Sequence, residues 1–434
     1  MEEPFRFFVG VDWAWKEHTV CIIDPSGKII DQRTIPHSGA GMAQLRDLLG
    51  KLEGAPDRVA VAIETPRGAI VESLLERQFP VFSLNPKQMD RFRDRHTVAG
   101  AKDDRRDAFV QADSLRTDQR LFRKVRPGQE ALIRLRELSR TEEDLKHDQQ
   151  RAQNRLGDLL NRYFPQLLEL SPAADEPWLW ELLEKAPLPA TAAQKPLRCW
   201  TRLLRRNRIR RFDAQALWQK LQAAPLPLSP GSAEALIEHV RVLLPALHLL
   251  HRQNQDVAKR IADLLEEIAE EPQSESTQPE STQPESTQPK STQHRDAQIL
   301  LSLPGVGRVV GATMLAEANQ ALEKRDYHAL RSLAGCAPVT RQSGQKKFVV
   351  MRRACNMRLR QALYYWAMSS LQTDPRSKQY YAALRSKGHS HARALRSLAD
   401  RLLAMLIAML RSGTTYDPAR RNAAQPADVQ PVAA

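Results

Sequence analysis

No apolar run in the sequence approaches the roughly 18 residues that span a bilayer. The longest, 402–410, is about half that length and fits a single buried helix. The chain opens Met-Glu-Glu-Pro, acidic where a secretory leader is basic, and no leader-type apolar segment follows before Asp12. The protein is therefore expected to stay in the compartment of its synthesis. Cysteine is scarce: Cys21, Cys199, Cys336 and Cys355 lie far apart, with no Cys-x-x-Cys pair. That excludes a zinc site of the usual spacing and a disulfide framework, and leaves free, mostly buried thiols in a reducing compartment. A second Gly-rich phosphate loop is also missing, which counts against a sugar-kinase or actin-like ATPase, proteins that likewise open on a strand ending in Asp.

What is present is an ordinary globular composition, 42% hydrophobic and 27% charged over 434 residues, enough for about three domains and neither collagen-like nor wholly disordered. The net charge is +14 and the pI about 9.8, so polyanions are the natural partners. The excess is uneven. Residues 341–434 hold 17 Lys and Arg against 4 Asp and Glu, interleaved with helical apolar positions, which favours a folded nucleic-acid surface over a solvated tail.

The N-terminal pattern predicts strands over 5–12, 19–24 and 28–35, a helix over 41–51, a doubly buried strand over 58–64, a helix over 69–78, a strand over 81–84 and a charged helix over 102–115. The order β-β-β-α-β-α-β-α is that of a ribonuclease-H-like domain. From 131 to 163, and again from 240 to 268, apolar residues recur in steps of three and four, so two long coiled-coil-type helices should pair with each other or with another subunit. Glu142, Gln149 and Asn254 interrupt these seams and would set register. Residues 165–230 are proline-rich and irregular and hold six arginines between Arg202 and Arg211, either a nucleic-acid grip or a solvated face. Three Glu-Ser-Thr-Gln-Pro repeats from Glu275, followed by Lys-Ser-Thr-Gln to Gln293, contain nothing apolar to bury and read as a disordered tether. The expected domains are thus 1–125 (α/β), 126–270 (coiled-coil helices), 271–294 (linker), 295–412 (mostly helical, C-terminal) and 413–434 (loose tail).

Two constellations carry chemistry. Asp12 and Glu64 end the first and the central strand, where a charged group needs a partner to offset desolvation, and Asp104 and Asp107 share one face of the charged helix. Converging carboxylates would suit Mg²⁺, which prefers oxygen ligands and leaves room for phosphate oxygens. Taken alone, Asp104 and Asp107 fit a solvated helix face better, but the spacing of all four carboxylates favours metal binding. Near the C-terminus, the run from Leu303 to Gly307 (Leu-Pro-Gly-Val-Gly) fits a helix-hairpin-helix turn that holds phosphate through Gly305 and Gly307, or a mere interhelical turn. Ser343 sits among Arg341, Lys346, Lys347, Arg352, Arg353, Arg358 and Arg360. With no adjacent base, its chemistry alone fits a turn residue better than a nucleophile.

Together these residues resemble the DEDD-type transposases of bacterial insertion sequences, the insertion-sequence one-ten family, also called bridge-RNA-guided recombinases. The resemblance rests on Val9-Gly-Val-Asp12, Ile63-Glu64 and Lys102-x-Asp104-x-x-Asp107-Ala108. Further on it rests on Pro304-Gly-Val-Gly307, Gly335-x-x-Pro338, Gln342-Ser-Gly344 and Asn356-x-x-Leu-Arg360. It implies a RuvC-like domain whose Asp12, Glu64, Asp104 and Asp107 bind Mg²⁺, and a nucleophilic Ser343 that forms a phosphoserine link to DNA. It also implies a homo-oligomer built through the coiled coil, with the tetrad of one subunit facing the serine of another. A structured non-coding RNA would choose donor and target DNA, and the protein would work in the bacterial cytoplasm at the nucleoid. Cys355, Asp103 and the Glu-Ser-Thr-Gln-Pro repeats depart from the family pattern. A RuvC-like endonuclease using metal-activated water, and a non-catalytic nucleic-acid-binding protein, are the alternatives.

Overall fold

The computed structural model describes residues 5–52, 56–84, 86–96, 103–125, 130–269, 290–344 and 346–418. The chain divides into two units, Met1–Gln129 and Glu130–Ala434. The first unit runs β1 (Phe7–Trp13), β2 (Glu17–Ile23), β3 (Ile29–Pro36), α1 (Gly39–Gly50), β4 (Val59–Ile63), α2 (Ala69–Glu76), β5 (Val81–Ser83), α3 (Pro86–His96), α4 (Asp104–Asp118) and β6 (Arg123–Lys124). Its strands form one mixed sheet in the order β3-β2-β1-β4-β5-β6. The first three strands make an antiparallel meander, β1–β4 and β4–β5 are parallel, and β6 returns antiparallel. Helix α3 and strand β6 are additions to the elements that the sequence pattern indicates.

The alternation in β4, Val-Ala-Val-Ala-Ile, sorts side chains by size between two faces. Val59, Val61 and Ile63 pack with Val9, Val11, Leu45 and Leu74, while Ala60 and Ala62 share the opposite core with Ala108 and Val110 of α4. Small residues on that second face let α4 settle close to the strands. Gly10 takes this furthest: a Cβ there would lie 1.9 Å from the Ala108 carbonyl oxygen and 2.7 Å from the Ala112 nitrogen.

The second unit begins with α5 (Glu130–Tyr163), continues through five short helices, α6 (Gln166–Leu170), α7 (Pro177–Lys185), α8 (Pro189–Ala193), α9 (Leu197–Arg206) and α10 (Ala214–Leu221), and returns along α11 (Pro230–Ala269). Both expected long helices are present, and they pack against each other. Leu132 and Leu135 share a core with Ile261, Leu264 and Ile268, whereas Leu156, Leu159 and Tyr163 share another with Leu236, Val240 and Leu247, so the pair is antiparallel. At the middle of the seam Asn254 Nδ2 donates to Gln149 Oε1 at 2.6 Å, and buried Glu142 pairs with Lys146 at 2.7 Å. The stretch expected to be irregular is instead five helices closed over Trp178, Trp180 and Trp200, all fully buried.

The repeats over 275–289 lie outside the described residues. Helix α12 (Lys290–Ser302) starts inside the span assigned to the linker and is followed by α13 (Arg308–Glu323), α14 (Tyr327–Leu333), β7 (Val339–Ser343), β8 (Lys346–Val350), α15 (Met357–Thr373), α16 (Pro375–Ser386) and α17 (His391–Ser412). Ala297, Leu300, Trp366 and Leu402 join Leu132 and Ile261 in one core, so the segments 126–270 and 295–412 are not separate domains: the far ends of α5 and α11 are part of the C-terminal core. Of the residues expected to be loose, 413–416 are held in place, and those beyond 418 lie outside the described residues. The Tyr416 amide donates to Ser302 Oγ at 2.8 Å, Arg295 binds the Gly413 carbonyl at 2.6 Å, and Tyr416 packs on the core. Among the described residues, no helix is long and apolar enough to cross a membrane.

Candidate functional site

Parallel pairing of β1 with β4 sets Val11 opposite Ile63, and the next residue on each is Asp12 and Glu64. By the two-residue period both belong to the face on which Ala60, Ala62 and α4 pack. On the other side, Asp12 is paired with Thr19 of β2. Two carboxylates thus stand at adjacent strand ends, each partly exposed, beneath a helix held close by Gly10. The Gln111 amide of α4, with its NH₂ toward the sheet, donates to the carbonyls of Val11 (2.9 Å) and Ala62 (3.2 Å), tying the helix to both strands just before the acidic residues.

Asp104 and Asp107 part company. Asp104 is exposed at the first residue of α4, whose N-cap is Asp103. Asp107 is 2% exposed and is gripped at both oxygens by Arg93 of α3, Nε to Oδ1 at 2.7 Å and Nη2 to Oδ2 at 3.1 Å. Those hydrogen bonds raise the guanidinium's affinity for its proton. Arg93 also binds Asp90 at 2.8 Å. Asp113, further along α4, is held by Arg116 at 2.6 Å and lies 3.4 Å from His96. Among the described residues, no three His, Cys, Asp or Glu side chains stand together so as to hold a metal ion. Of the expected tetrad, the fold sets Asp12 and Glu64 at neighbouring strand ends, leaves Asp104 at the helix tip and gives Asp107 a cationic partner. Lys102 lies outside the described residues.

Sequence reasoning missed Arg93, Gln111 and the bulky pair beside Asp12, Trp13 and Trp15, which are 38% and 82% exposed. The signal for α3 is there in the sequence: Met89 and Phe92, three apart and both buried, mark its inner face amid the charges.

In the second unit Ser343 is the last residue of β7, exposed, paired across the hairpin with Lys346. Gly344 follows with φ +56°, the left-handed conformation a tight hairpin needs. Register puts Arg341 and Phe348 on the face of Ser343 and Lys346, with Gln342 and Lys347 on the other. Arg341, Lys346 and Lys347 are exposed, and so is Phe348 at 51%.

The remaining basic candidates divide. Arg353 is exposed. Arg352 Nε donates to the Ala337 carbonyl at 3.3 Å, and Arg360 donates to the Arg352 carbonyl, lying against Gly335, where any Cβ would meet the guanidinium at 2.6 Å. Arg358 pairs with Glu143 of α5 at 2.5 Å. These three hold the C-terminal core together. The Asn356-x-x-Leu-Arg360 motif has the same character: Asn356 caps α15 by accepting from the Leu359 amide (3.0 Å), donates to Glu317 (2.7 Å) and precedes a fully buried Leu359. Gly305 (φ +79°) forms the turn between α12 and α13, with a Cβ position 2.7 Å from the Ser370 nitrogen, and the Pro304 carbonyl accepts from Trp366 Nε1 at 3.0 Å. The role of Gly305 is therefore close packing on α15, while Gly307 is open on its surface and caps α13.

Residues 9–165 match the sequence model of DEDD-type transposases, and residues 297–382 match that of the transposase IS116/IS110/IS902 family. The chain is similar to the candidate transposase of the IS117 mini-circle of Streptomyces coelicolor, 32% identical over 431 residues, covering 96% of this chain and 97% of that protein. It is 28% identical over 423 residues to a 43.6 kDa protein of insertion element IS110 from the same organism, with 96% of each chain covered. The candidate transposase y4uE of Sinorhizobium fredii is 48% identical over 216 residues, 49% of this chain and 60% of that one.

Proposed function

The chain belongs to the DEDD-type IS110 family of DNA transposases, and from that premise we propose that it cuts and rejoins DNA strands through a covalent bond between Ser343 and a DNA phosphate. In this reading Ser343 Oγ attacks the phosphorus and displaces one deoxyribose oxygen, which leaves as a hydroxyl with the proton the serine gives up. The hydroxyl of a second strand then displaces the serine, restoring a phosphodiester. Arg341 and Lys346, exposed on the same face of the hairpin as Ser343, would hold the phosphate and its developing charge.

The observation that supports the carboxylate half of the proposal is the β1–β4 register, which makes Asp12 and Glu64 neighbours at the ends of two parallel strands, a placement that a ribonuclease-H-like, RuvC-like reading of the domain calls for. Their oxygen donors suit a hard divalent cation such as Mg²⁺, which when bound would polarise the scissile phosphate. Asp104 would enter from the helix tip, and Asp107 would join once Arg93 releases it. Gln111 and Gly10 keep α4 seated on both strands. Donor and target selection by a structured non-coding RNA, and assembly of copies, complete the proposal.

The test is incubation of the protein with its RNA and a donor–target DNA pair, followed by denaturing electrophoresis. A protein–DNA adduct that disappears in Ser343→Ala, while DNA binding persists, supports the proposal. An adduct that survives Ser343→Ala overturns the serine's role. Free 5′ or 3′ ends without any adduct favour hydrolysis by metal-activated water at the same carboxylates. Asp12→Asn and Glu64→Gln should each abolish cleavage; if neither does, the carboxylates are not the reacting centre.

A further inference from the structure

Helix α9 and the turn that ends it carry seven arginines in fourteen residues, Arg198, Arg202, Arg205, Arg206, Arg208, Arg210 and Arg211, all exposed. The opposite face of the helix, Trp200, Leu203 and Leu204, is buried with Trp178 and Leu217. Arg198, Arg202 and Arg205 follow steps of four and three and so form one stripe. Among the described residues, two carboxylates form ion pairs with the group: Glu181, shared by Arg206 (3.3 Å) and Lys185 (2.7 Å), and Glu176, bound by Arg211 at 2.5 Å. The helix itself contains no acidic residue.

This is a costly arrangement for an isolated protein. Like charges four apart on a helix repel, and Arg198 lies in the first turn, where the helix dipole disfavours a cation. The dipole accounts for Arg205 and Arg206 in the last turn but not for Arg198 or Arg202. Arg208 adds an independent sign. It occupies the left-handed position that closes α9, φ +55°, with its amide bonded to the Arg205 carbonyl and the next amide, Ile209, to that of Leu204. Glycine is the residue that fits this end motif without strain. A cation stands there in its place.

We propose that the exposed arginine face of α9 and its closing turn is a binding site for the phosphate backbone of a nucleic acid, additional to the hairpin that carries Ser343. Ten helical residues span about 15 Å, the rise of four to five base steps at about 3.4 Å, so two or three phosphates are within reach of one stripe. Guanidinium groups suit that ligand because they grip phosphate oxygens in pairs without demanding a sequence. The backbone of duplex DNA and that of single-stranded RNA share this chemistry, and the test separates them.

Full-length protein is titrated, by fluorescence anisotropy across a salt series, with a labelled duplex DNA of arbitrary sequence and with a labelled single-stranded RNA. The triple variant Arg198→Gln, Arg202→Gln, Arg205→Gln should bind at least one of them about tenfold more weakly at low salt. Its slope of log K against log salt should be shallower by about 0.9 for each phosphate no longer neutralised on the duplex, or about 0.7 on the single strand. Weakening on one probe alone names the ligand. Arg208→Gly is the complementary variant: it should weaken the same probe while leaving the melting temperature unchanged or higher, an outcome a purely structural arginine would not give. Unchanged affinity and slope for both probes in both variants would overturn the proposal. No cleavage is involved, so this result stands apart from the test of Ser343.

Discussion

Asp107 is nearly sealed from solvent, and its charge is tolerable because Arg93 meets both oxygens. Removing one member of a buried pair leaves an uncompensated charge, at a cost of about 3 kcal/mol. Arg93→Gln should therefore lower the urea midpoint markedly, and millimolar Mg²⁺ should recover part of that stability, since the freed carboxylate regains a cation. An unchanged midpoint would mean that Asp107 is solvated in the variant and needs no partner. His18 gives a second prediction. It is fully buried and bonded through Nε2 to His37 Nδ1 at 2.9 Å, and burial, then the neighbouring His37, holds its pKa below 6.5. The folded state thus takes up this proton less readily than the unfolded chain. Stability from this group is complete above about pH 6.5 and declines as pH falls towards the depressed folded value. Melting curves from pH 7.5 to 5 should show that decline, and His18→Gln should flatten it; a decline unchanged in the variant would assign it to other groups. The exposed Trp15, a few residues after Asp12 in the chain, offers a face for a nucleobase. Trp15→Ala should weaken single-stranded DNA binding several-fold without changing the melting temperature, and equal affinity would leave Trp15 without that role.

At the scale of elements, Asn254 and Gln149 show what a polar pair in an apolar seam does. Each is legible as a break in a heptad series, and the antiparallel packing of α5 and α11 lets Asn254 Nδ2 donate to Gln149 Oε1, although the buried Asn254 Oδ1 finds no partner among the described residues. Asn254→Leu alone strands the Gln149 carbonyl and should cost about 1–2 kcal/mol. Adding Gln149→Leu should recover that and more, because two leucines bury well where two amides merely break even. Thermal unfolding of the three variants decides this; a double variant no more stable than the single one would refute the pairing argument. The same reasoning shows why some elements could be read and others not. Strand β4 and the two long helices announce themselves because burial imposes one repeating pattern over their whole length. Helix α3 does not, since only Met89 and Phe92 anchor it and charges mask the period. The strand-end carboxylates stand out against apolar strands. Arg93 looks like any other arginine until α3 is placed over α4, and the jobs of Arg358 and Arg360 depend on Glu143 and a backbone carbonyl that the sequence pattern does not bring near them.

At the scale of the whole molecule the charge is divided as unevenly as the chemistry. Residues 1–129 hold 21 Lys and Arg against 19 Asp and Glu, while residues 130–434 hold 44 against 32, so nearly all the surplus lies in the second unit. Under the proposed function, a unit that approaches a polyanion gains from such a field, and one that brings Asp12 and Glu64 to a metal is hindered less by near neutrality. Binding of duplex DNA by the full chain should therefore be steeply salt-dependent. Five phosphate contacts would give a slope of about −4.5 in log K against log salt. Ser343→Ala removes no charge, so it should leave that slope intact while abolishing the covalent adduct. Asp12→Asn and Glu64→Gln should leave it intact or slightly steeper, because each removes a negative charge that in the proposed reaction lies near phosphate. A flat slope in the unaltered protein would detach the basic surface from DNA recognition. A slope that collapses in Ser343→Ala would show that the adduct, rather than the field of the second unit, had been holding the DNA.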